Sequence, residues 1–316
     1  VSEEAHRAFP CFGGTATVHV RGNGGVESAE AVEGARRYLL DAHDRLSRFL
    51  EDSELMLLNR DPRREVPSSS LLRRLAGAAR MAAALSRGLV DATLLPNLER
   101  AGYRASMTGP GPGPRSIDGA LRRPRQAPAQ PHPAQRWRQI HVDEAAGTIT
   151  RPPGLEIDSG GIAKGLVADL VAVRLRGHRA YAVDCCGDIR IGGTAGQERA
   201  VRVGAPFGGD PIHELLLGEG AVATTGIGRR SWIGPDGEAA HHLLDPCSGK
   251  PAFTGIAQAT AIAPTGVLAE TYAKAALLSG PAGAAAWLPH GGVIVMDDGK
   301  VEPVAALRPL PERAAA

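Results

Sequence analysis

Apolar residues along this chain recur with two periods, every second position in some stretches and near 3.6 in others. The two periods sort it into strands and helices. Gly14-Thr15-Ala16-Thr17-Val18-His19-Val20 alternates and predicts a strand, closed by Asn23-Gly24-Gly25. From Ser28 to Phe49 the apolar set Ala31, Ala35, Tyr38, Leu39, Ala42, Leu46 and Phe49 keeps helical spacing. Asp52-Ser53-Glu54 opens a short helix carrying Leu55, Leu57 and Leu58 and ending at Asn59. Ser68-Ser69-Ser70 caps a helix from Leu71 to Arg87, which Gly88 terminates. Gly154-Leu155-Glu156-Ile157 predicts a short strand. Asp158 and the small residues Ser159, Gly160 and Gly161 follow, then a helix from Ala163 with Ile162, Leu166, Leu170 and Val173 on its apolar face.

Further strands are predicted at Trp137 to Val142, Thr148 to Thr150, Ala180 to Asp184, Ile189 to Ile191, Arg199 to Val203 and Ala257 to Ala263. His213 to Leu217 and Gly220 to Thr224 read as a pair, and Leu243 to Pro246 as a strand end running into a turn. Val267 to Ser279 and Ala282 to Leu288 are helical. Asp297-Asp298-Gly299 turns a closing hairpin. Strands come in runs with helices grouped between them, which argues for an α+β fold with mixed, largely antiparallel sheets and flanking helices. The Pro- and Gly-rich stretch at about 106–136, with a short helix at Ser116 to Arg122, reads as a flexible surface excursion from a single domain spanning 1–316.

Composition narrows the function classes. The 36 basic against 34 acidic residues leave a charge of +2, and only 4% of residues are aromatic. Neither a basic footprint nor a base-stacking platform is present, so a nucleic-acid partner is not expected. No segment has the length and uniform apolarity of a membrane span. The polar start, Val1 to Arg7, lacks a signal-peptide core, which predicts a cytoplasmic location, or export if a leader was removed. Cys11, Cys185, Cys186 and Cys247 show no CxxC spacing and are expected to be buried thiols.

The chemistry concentrates at Asp158 to Asp169. Small residues let a ligand approach the backbone, a helix start suits phosphate, and Lys164 adds a mobile cation. The stretch is neither a Walker loop nor GxGxxG, and alone it reads as a tight turn into a core helix. Asp91, beside Thr93 after a helix stop, fits a capping turn or a pocket wall.

Several stretches, in order, resemble the ApbE family of FAD:protein FMN transferases. Asp158 to Asp169 is similar to the family's Asp-Leu-Gly-Gly-Ile-Ala-Lys-Gly-Tyr-Ala-Val-Asp, with Ser159 and Leu166 as replacements. Asp52-Ser53-Glu54-Leu55 with Leu58-Asn59, Val90-Asp91-Ala92-Thr93, Val183 to Asp188, Ala223-Thr224-Thr225-Gly226 with Arg229-Arg230, and His242 to Gly249 each resemble a further family motif. The resemblance implies that FAD is cleaved at its pyrophosphate. FMN passes to a Ser or Thr of an acceptor flavoprotein, AMP leaves, and magnesium bridges the phosphates. It implies a FAD site lined by Gly160, Lys164 and Leu166. Leu89, Val90 and Asp91 would contact adenine or ribose, Leu244 would pack on the dinucleotide, and Phe12 would stand where the family often has Met. Ala163 would offer a carbonyl to the metal. His242 becomes the candidate base for the acceptor hydroxyl. His241 would then point to solvent, Asp245 would cap the Pro246 turn, and Asp188 would either orient flavin or close its own turn.

One segment departs from the family pattern. The family's metal helix reads close to Ala-Asp-Ala-Leu-Ala-Thr, with the Asp and Thr as ligands on one helical face. Here it is Ala269-Glu270-Thr271-Tyr272-Ala273-Lys274. Glu270 keeps a carboxylate, but Lys274 replaces the hydroxyl, and an ammonium has no lone pair for a metal. Lys274 either pairs with Glu270 as an i,i+4 bridge or sits where magnesium would. Three readings follow: an FMN transferase, an ApbE-like FAD enzyme with altered or metal-independent chemistry, and a non-catalytic flavin binder.

Overall fold

The computed structural model describes residues 4–106 and 127–310. The chain opens with β1 (Glu4–Cys11) and β2 (Gly14–Arg21), then α1 (Ser28–Leu46), α2 (Glu54–Arg60), β3 (Glu65–Pro67), α3 (Ser70–Leu85) and α4 (Leu95–Arg100). After residue 126 come β4 (His141–Asp143), β5 (Thr148–Thr150), α5 (Ala163–Leu175), β6 (Ala180–Cys185), β7 (Asp188–Gly192), β8 (Arg199–Val203), β9 (His213–Leu217) and β10 (Gly220–Gly226). The last part holds β11 (Ser231–Ile233), β12 (Ala239–His241), β13 (Ile256–Ala263), α6 (Gly266–Leu278), α7 (Gly280–Ala284), β14 (Gly292–Met296) and β15 (Val301–Val304).

Eight strands form one sheet in the order β1-β2-β6-β7-β10-β13-β14-β15. Every neighbouring pair in it is antiparallel. Alternation of side chains assigns its two faces. Tyr181, Val183 and Cys185 of β6 join the main core with α1 and α5, whereas Ala182 packs with Ile191, Val201 and Leu217 under the β8–β9 ribbon. Farther along the sheet, Ala257, Ala259 and Ala261 meet Ala273 and Ala276 of α6. Ala221, Ala223 and Ala263 meet Ala269. Two tight hairpins end at the same edge, turning on Phe12-Gly13 and Cys186-Gly187. All four residues have positive φ, as this turn type requires.

Helices α5 and α6 are locked together at their starts. A Cβ on Gly165 would meet the Gly266 carbonyl oxygen at 2.5 Å, so the two backbones touch. Each helix caps the other. Gly266 and Val267 donate their N–H groups to Asp169 of α5 at 2.7 and 3.1 Å, while Gly165 donates to Glu270 of α6 at 3.1 Å. Carboxylates satisfy the unpaired N–H groups of a helix start and complement its dipole.

Several expectations are corrected. Part of the polar start, Glu4 to Arg7, belongs to the edge strand β1, which the sequence reading lacked, and α4 has no counterpart in it either. Trp137 begins no strand but lies in a 3₁₀ turn, Arg136–Gln139, ahead of the short β4. Gly154 to Ile157 is not a strand. The Asn59 side chain instead holds both backbone groups of Ile157, at 2.8 and 2.9 Å, in place of a strand neighbour. β9 and β10 do not pair with each other: β9 joins β8, and β10 lies between β7 and β13. Leu243 to Pro246 carries only an isolated bridge, Leu244 to Pro251. Val173 is 58% exposed, and the buried face of α5 runs instead through Val167, Ala168, Val171, Ala172 and Leu175. Cys186 is half-buried and Cys247 exposed, unlike the buried Cys11 and Cys185. The helix at Ser116 to Arg122 lies outside the described residues. The described end of the excursion is docked: Ala129 donates to the Leu278 carbonyl at 2.8 Å and Gln130 to Asp245 at 2.7 Å.

The Gly165–Gly266 contact sets a first test. Gly165→Ala is expected to lower stability by about 1–3 kcal/mol, from forced separation of α5 and α6, measured by urea unfolding at constant m-value.

Candidate active site

A cleft of about 1210 Å³, partly open to solvent, lies where the start of α5, the end of α1, the turn after α3 and the stretch after β12 converge. The Gly-rich turn of residues 158–161 forms one wall, pinned from three sides. Asn59 holds Ile157, the Asp158 N–H donates to the Ala92 carbonyl at 2.7 Å, and the Ser159 hydroxyl donates to the Leu46 carbonyl at 2.7 Å. Ser159, read as a small residue and a family replacement, thus closes the C-terminal end of α1. Ser53 does the same for the Ser47 carbonyl, at 2.6 Å. With these carbonyls satisfied, α1 stops at Leu46 and not at Phe49 as its periodicity suggested.

That early stop carries Arg48 and Phe49 into the cleft. The Arg48 guanidinium carbon lies 4.3 Å from the ring centroids of both Phe49 and Tyr103. Arg48 donates to the Tyr103 carbonyl at 3.0 Å and pairs with Asp158 at 3.3 Å. Its side chain is 5% exposed, and its Nη2 has no hydrogen-bond partner among the described residues. Tyr103 stacks in turn on Trp232, and Leu98 and Leu244 complete an apolar chamber. Arg48, Tyr103 and His43 escaped the sequence reading. An arginine just past a helix end carries no motif, and only its cation–π geometry marks it.

The opposite end is charged. Lys164 and Lys274 both face the cleft, each anchored to a carboxylate behind it: Lys164 to Asp188, and Lys274 to Glu270 at 2.9 Å. Burial works against charge on Lys164, but Asp188 and Glu270 outweigh it and hold the ammonium above its usual range. Burial likewise works to raise the Glu270 pKa, yet Lys274 and Lys164 hold it below the usual carboxylate range. Arg230 joins them, donating to the Phe12 carbonyl at 3.2 Å, with no carboxylate pair among the described residues. His242 lines the same end, its Nδ1 3.4 Å from the Arg230 carbonyl. Burial, then the positive charge of Arg230, depresses its pKa well below the ordinary value, so the imidazole is neutral near pH 7.

Of the residues singled out by sequence, the cleft gathers Phe12, Leu89, Val90, Asp91, Gly160, Lys164, His242, Leu244 and Lys274. Asp91 does two things, lining the cleft and accepting from the N–H and hydroxyl of Thr93, both at 2.8 Å. Leu166 is corrected: it packs in the main core, because residues two apart on a helix point some 200° from each other and Lys164 takes the cleft side. Ala163 and Glu270 also lie behind the cleft, 3% and 1% exposed. Lys164 is not mobile but ion-paired, and the helix start is not an open anion site, since Gly165 gives its N–H to Glu270 and Ala163 gives its own to the Ser159 carbonyl. Asp188 does not close its turn; Asp184 does, accepting from Gly187 at 2.6 Å. Asp245 caps its turn as expected. His241 is fully buried against Phe253, not solvated, because both faces of β12 are covered.

The residues present do not fit a divalent cation. Both Glu270 oxygens are committed, one to Gly165 and one to Lys274, and Asp188 is held by Lys164. Among the described residues no three His, Cys, Asp or Glu side chains cluster closely enough to hold a metal.

A large antiparallel sheet with capped helices carries a cleft that joins an aromatic chamber to a cationic floor, a lining complementary to an extended anion with an apolar end. Residues 12–296 match the ApbE family, and the chain belongs to it. It is 25% identical over 249 residues to an FAD:protein FMN transferase of Haemophilus influenzae, covering 73% of this chain and 67% of that one. With the Vibrio cholerae FAD:protein FMN transferase it shares 25% identity over 293 residues, 88% and 82% of the two chains. The crystal structure of an ApbE protein from Thermotoga maritima superposes with a TM-score of 0.74 at 24% identity, covering 95% of this chain and 97% of that one. The apo flavinyl transferase ApbE of Pseudomonas stutzeri gives 0.74 at 23% identity, covering 97% and 96%.

Two desolvated histidines, buried His241 and half-buried His242, weaken the fold in acid. His241 is held at about 3, by burial, and His242 well below its ordinary value. In the unfolded chain both take up protons near pH 6.5 while the folded chain does not, so stability rises with pH across this window. The melting temperature is therefore expected to fall as pH drops from 7 toward 5. His241→Asn, which keeps an acceptor for the Leu243 N–H but does not titrate, is expected to make that fall shallower.

Proposed function

We propose that this chain transfers FMN from FAD to a Ser or Thr hydroxyl of an acceptor protein, releasing AMP. The observation that carries the reading is the convergence, in one cleft, of neutral His242 with Lys164, Lys274 and Arg230 beside an apolar chamber. Phosphoryl transfer demands positioning and charge neutralisation more than covalent help from the protein. The membership in ApbE and the relatives named as FAD:protein FMN transferases support the same reaction.

In this reading the pyrophosphate of FAD lies over the cationic floor. Apolar and aromatic walls take the ring systems, with Leu89, Val90 and Asp91 on one side and Leu244 on another. His242 accepts the proton of the acceptor hydroxyl as its oxygen attacks the phosphorus of the FMN half. The new P–O bond forms to the acceptor, the P–O bond to AMP breaks, and AMP leaves with the negative charge. Lys164, Lys274 and Arg230 offset the charge that builds on the phosphoryl oxygens. A neutral imidazole is the form that can take a proton, and its burial beside cations keeps it so. Magnesium, which the resemblance implied, enters no step, because the carboxylates near the floor are already paired.

Incubation with FAD and a candidate acceptor, followed by AMP quantification and mass spectrometry of the acceptor, tests the reading. Covalent FMN with equimolar AMP is the expected result, and bound FAD without either product would refute it. His242→Ala is expected to cut the rate by about 10²–10⁴ while FAD binding persists. Arg48→Met is expected to weaken FAD binding by about tenfold through loss of a charged donor on the cleft wall, seen by flavin fluorescence titration.

A further inference from the structure

The floor of the cleft carries its cations as side chains. Lys274 runs beneath the Gly-rich turn: a Cβ on Gly161 would meet its Cε at 3.4 Å. Its ammonium faces the cleft while Glu270, 1% exposed, grips it from behind at 2.9 Å. Exposed i,i+4 bridges share this spacing but not this burial. An ammonium has three donors, and among the described residues Glu270 engages one, leaving two for a ligand oxygen. The second Glu270 oxygen is spent on the start of α5, at Gly165, so it is not free to turn toward a metal.

The charge count of the floor is modest. Lys164, Lys274 and Arg230 stand against Asp188 and Glu270, three positive groups to two negative, so these five groups leave one net positive charge. A magnesium ion in place of Lys274 would leave two. Magnesium, however, demands near-octahedral oxygen donors, and an ammonium at a ligand position gives none and repels the ion.

We propose that the Lys274 ammonium, seated on Glu270, takes the place of a divalent cation at the FAD pyrophosphate, so that this chain binds and cleaves FAD without a metal ion. The inference rests on FAD being the ligand of the cleft, as proposed above. Lys274 thus acts as a binding residue whose direction is fixed by Glu270. Glu270 is a positioning residue that at the same time ties α5 to α6.

The test compares FAD affinity, AMP release and acceptor flavinylation in EDTA and across a magnesium titration, for the wild type, Lys274→Met and Lys274→Thr. Thermal melts check that each variant is folded. The wild type is expected to bind FAD and release AMP equally in EDTA and in magnesium. Lys274→Met is expected to lose affinity by about tenfold to a hundredfold in either condition. Lys274→Thr, which sets a hydroxyl beside Glu270, is expected to lose affinity in EDTA and regain it as magnesium is added. AMP release by the wild type only with magnesium would overturn the inference while leaving the transferase reading intact. Tight, EDTA-indifferent FAD binding that depends on Lys274 but yields neither AMP nor flavinylated acceptor would keep the phosphate role of Lys274 and overturn both metal-free cleavage and the transferase reading. If the variants fail to fold, the wild-type comparison in EDTA still decides.

Discussion

Everything at the cationic end of the cleft depends on the mutual capping of α5 and α6. Asp169 closes the start of α6 and Glu270 closes the start of α5, across a backbone contact that only Gly165 and Gly266 permit. Hydrogen bonds to charged groups each contribute about 1.5–3 kcal/mol, and three of them meet at this crossing. It fixes the rotation of both helices about their axes. Once that rotation is set, Lys164 on one helix and Lys274 on the other must reach the same space, and Leu166 must turn into the core.

The other end of the cleft is set by a different device, the satisfaction of carbonyls at the end of α1. Ser53 and Ser159 take over acceptors that would otherwise draw the helix onward. The chain is then free to fold Arg48 against two rings. The two devices share the Gly-rich turn: Ser159 belongs to the first wall and Lys164 to the second, five residues apart. Binding the aromatic chamber and holding the phosphates are therefore mechanically joined through one short stretch of backbone.

Much of this was legible in the sequence. The helices α1, α2, α3, α5 and α6 lie close to where the pattern put them, α2 and α3 capped by Ser53 and Ser69 as read, and the alternation of β2 holds, while β6 and β13 are strands buried on both faces. Family-like motifs brought the cleft residues together although they are far apart in the chain. What stayed hidden was whatever depends on partners distant in sequence. Asn59 replacing a strand neighbour of Ile157, the burial of His241 under Phe253, and the pairing of β9 with β8 all follow from packing that local propensity does not encode. Leu166 was misplaced for a simpler reason, since helical geometry forbids it from sharing a direction with Lys164.

The alanine seam between α6 and the sheet has a consequence for how this sequence can drift over generations. Ala221, Ala223, Ala257, Ala259, Ala261, Ala269, Ala273 and Ala276 are all at most 1% exposed. A core built of large residues loses most when a side chain is trimmed, because a void remains. Here there is almost nothing to trim, and the burden falls on enlargement: one added methylene would push α6 outward and carry Lys274 with it. The packing therefore sets a ceiling on side-chain size along this seam, where enlargement and not truncation is the costly change.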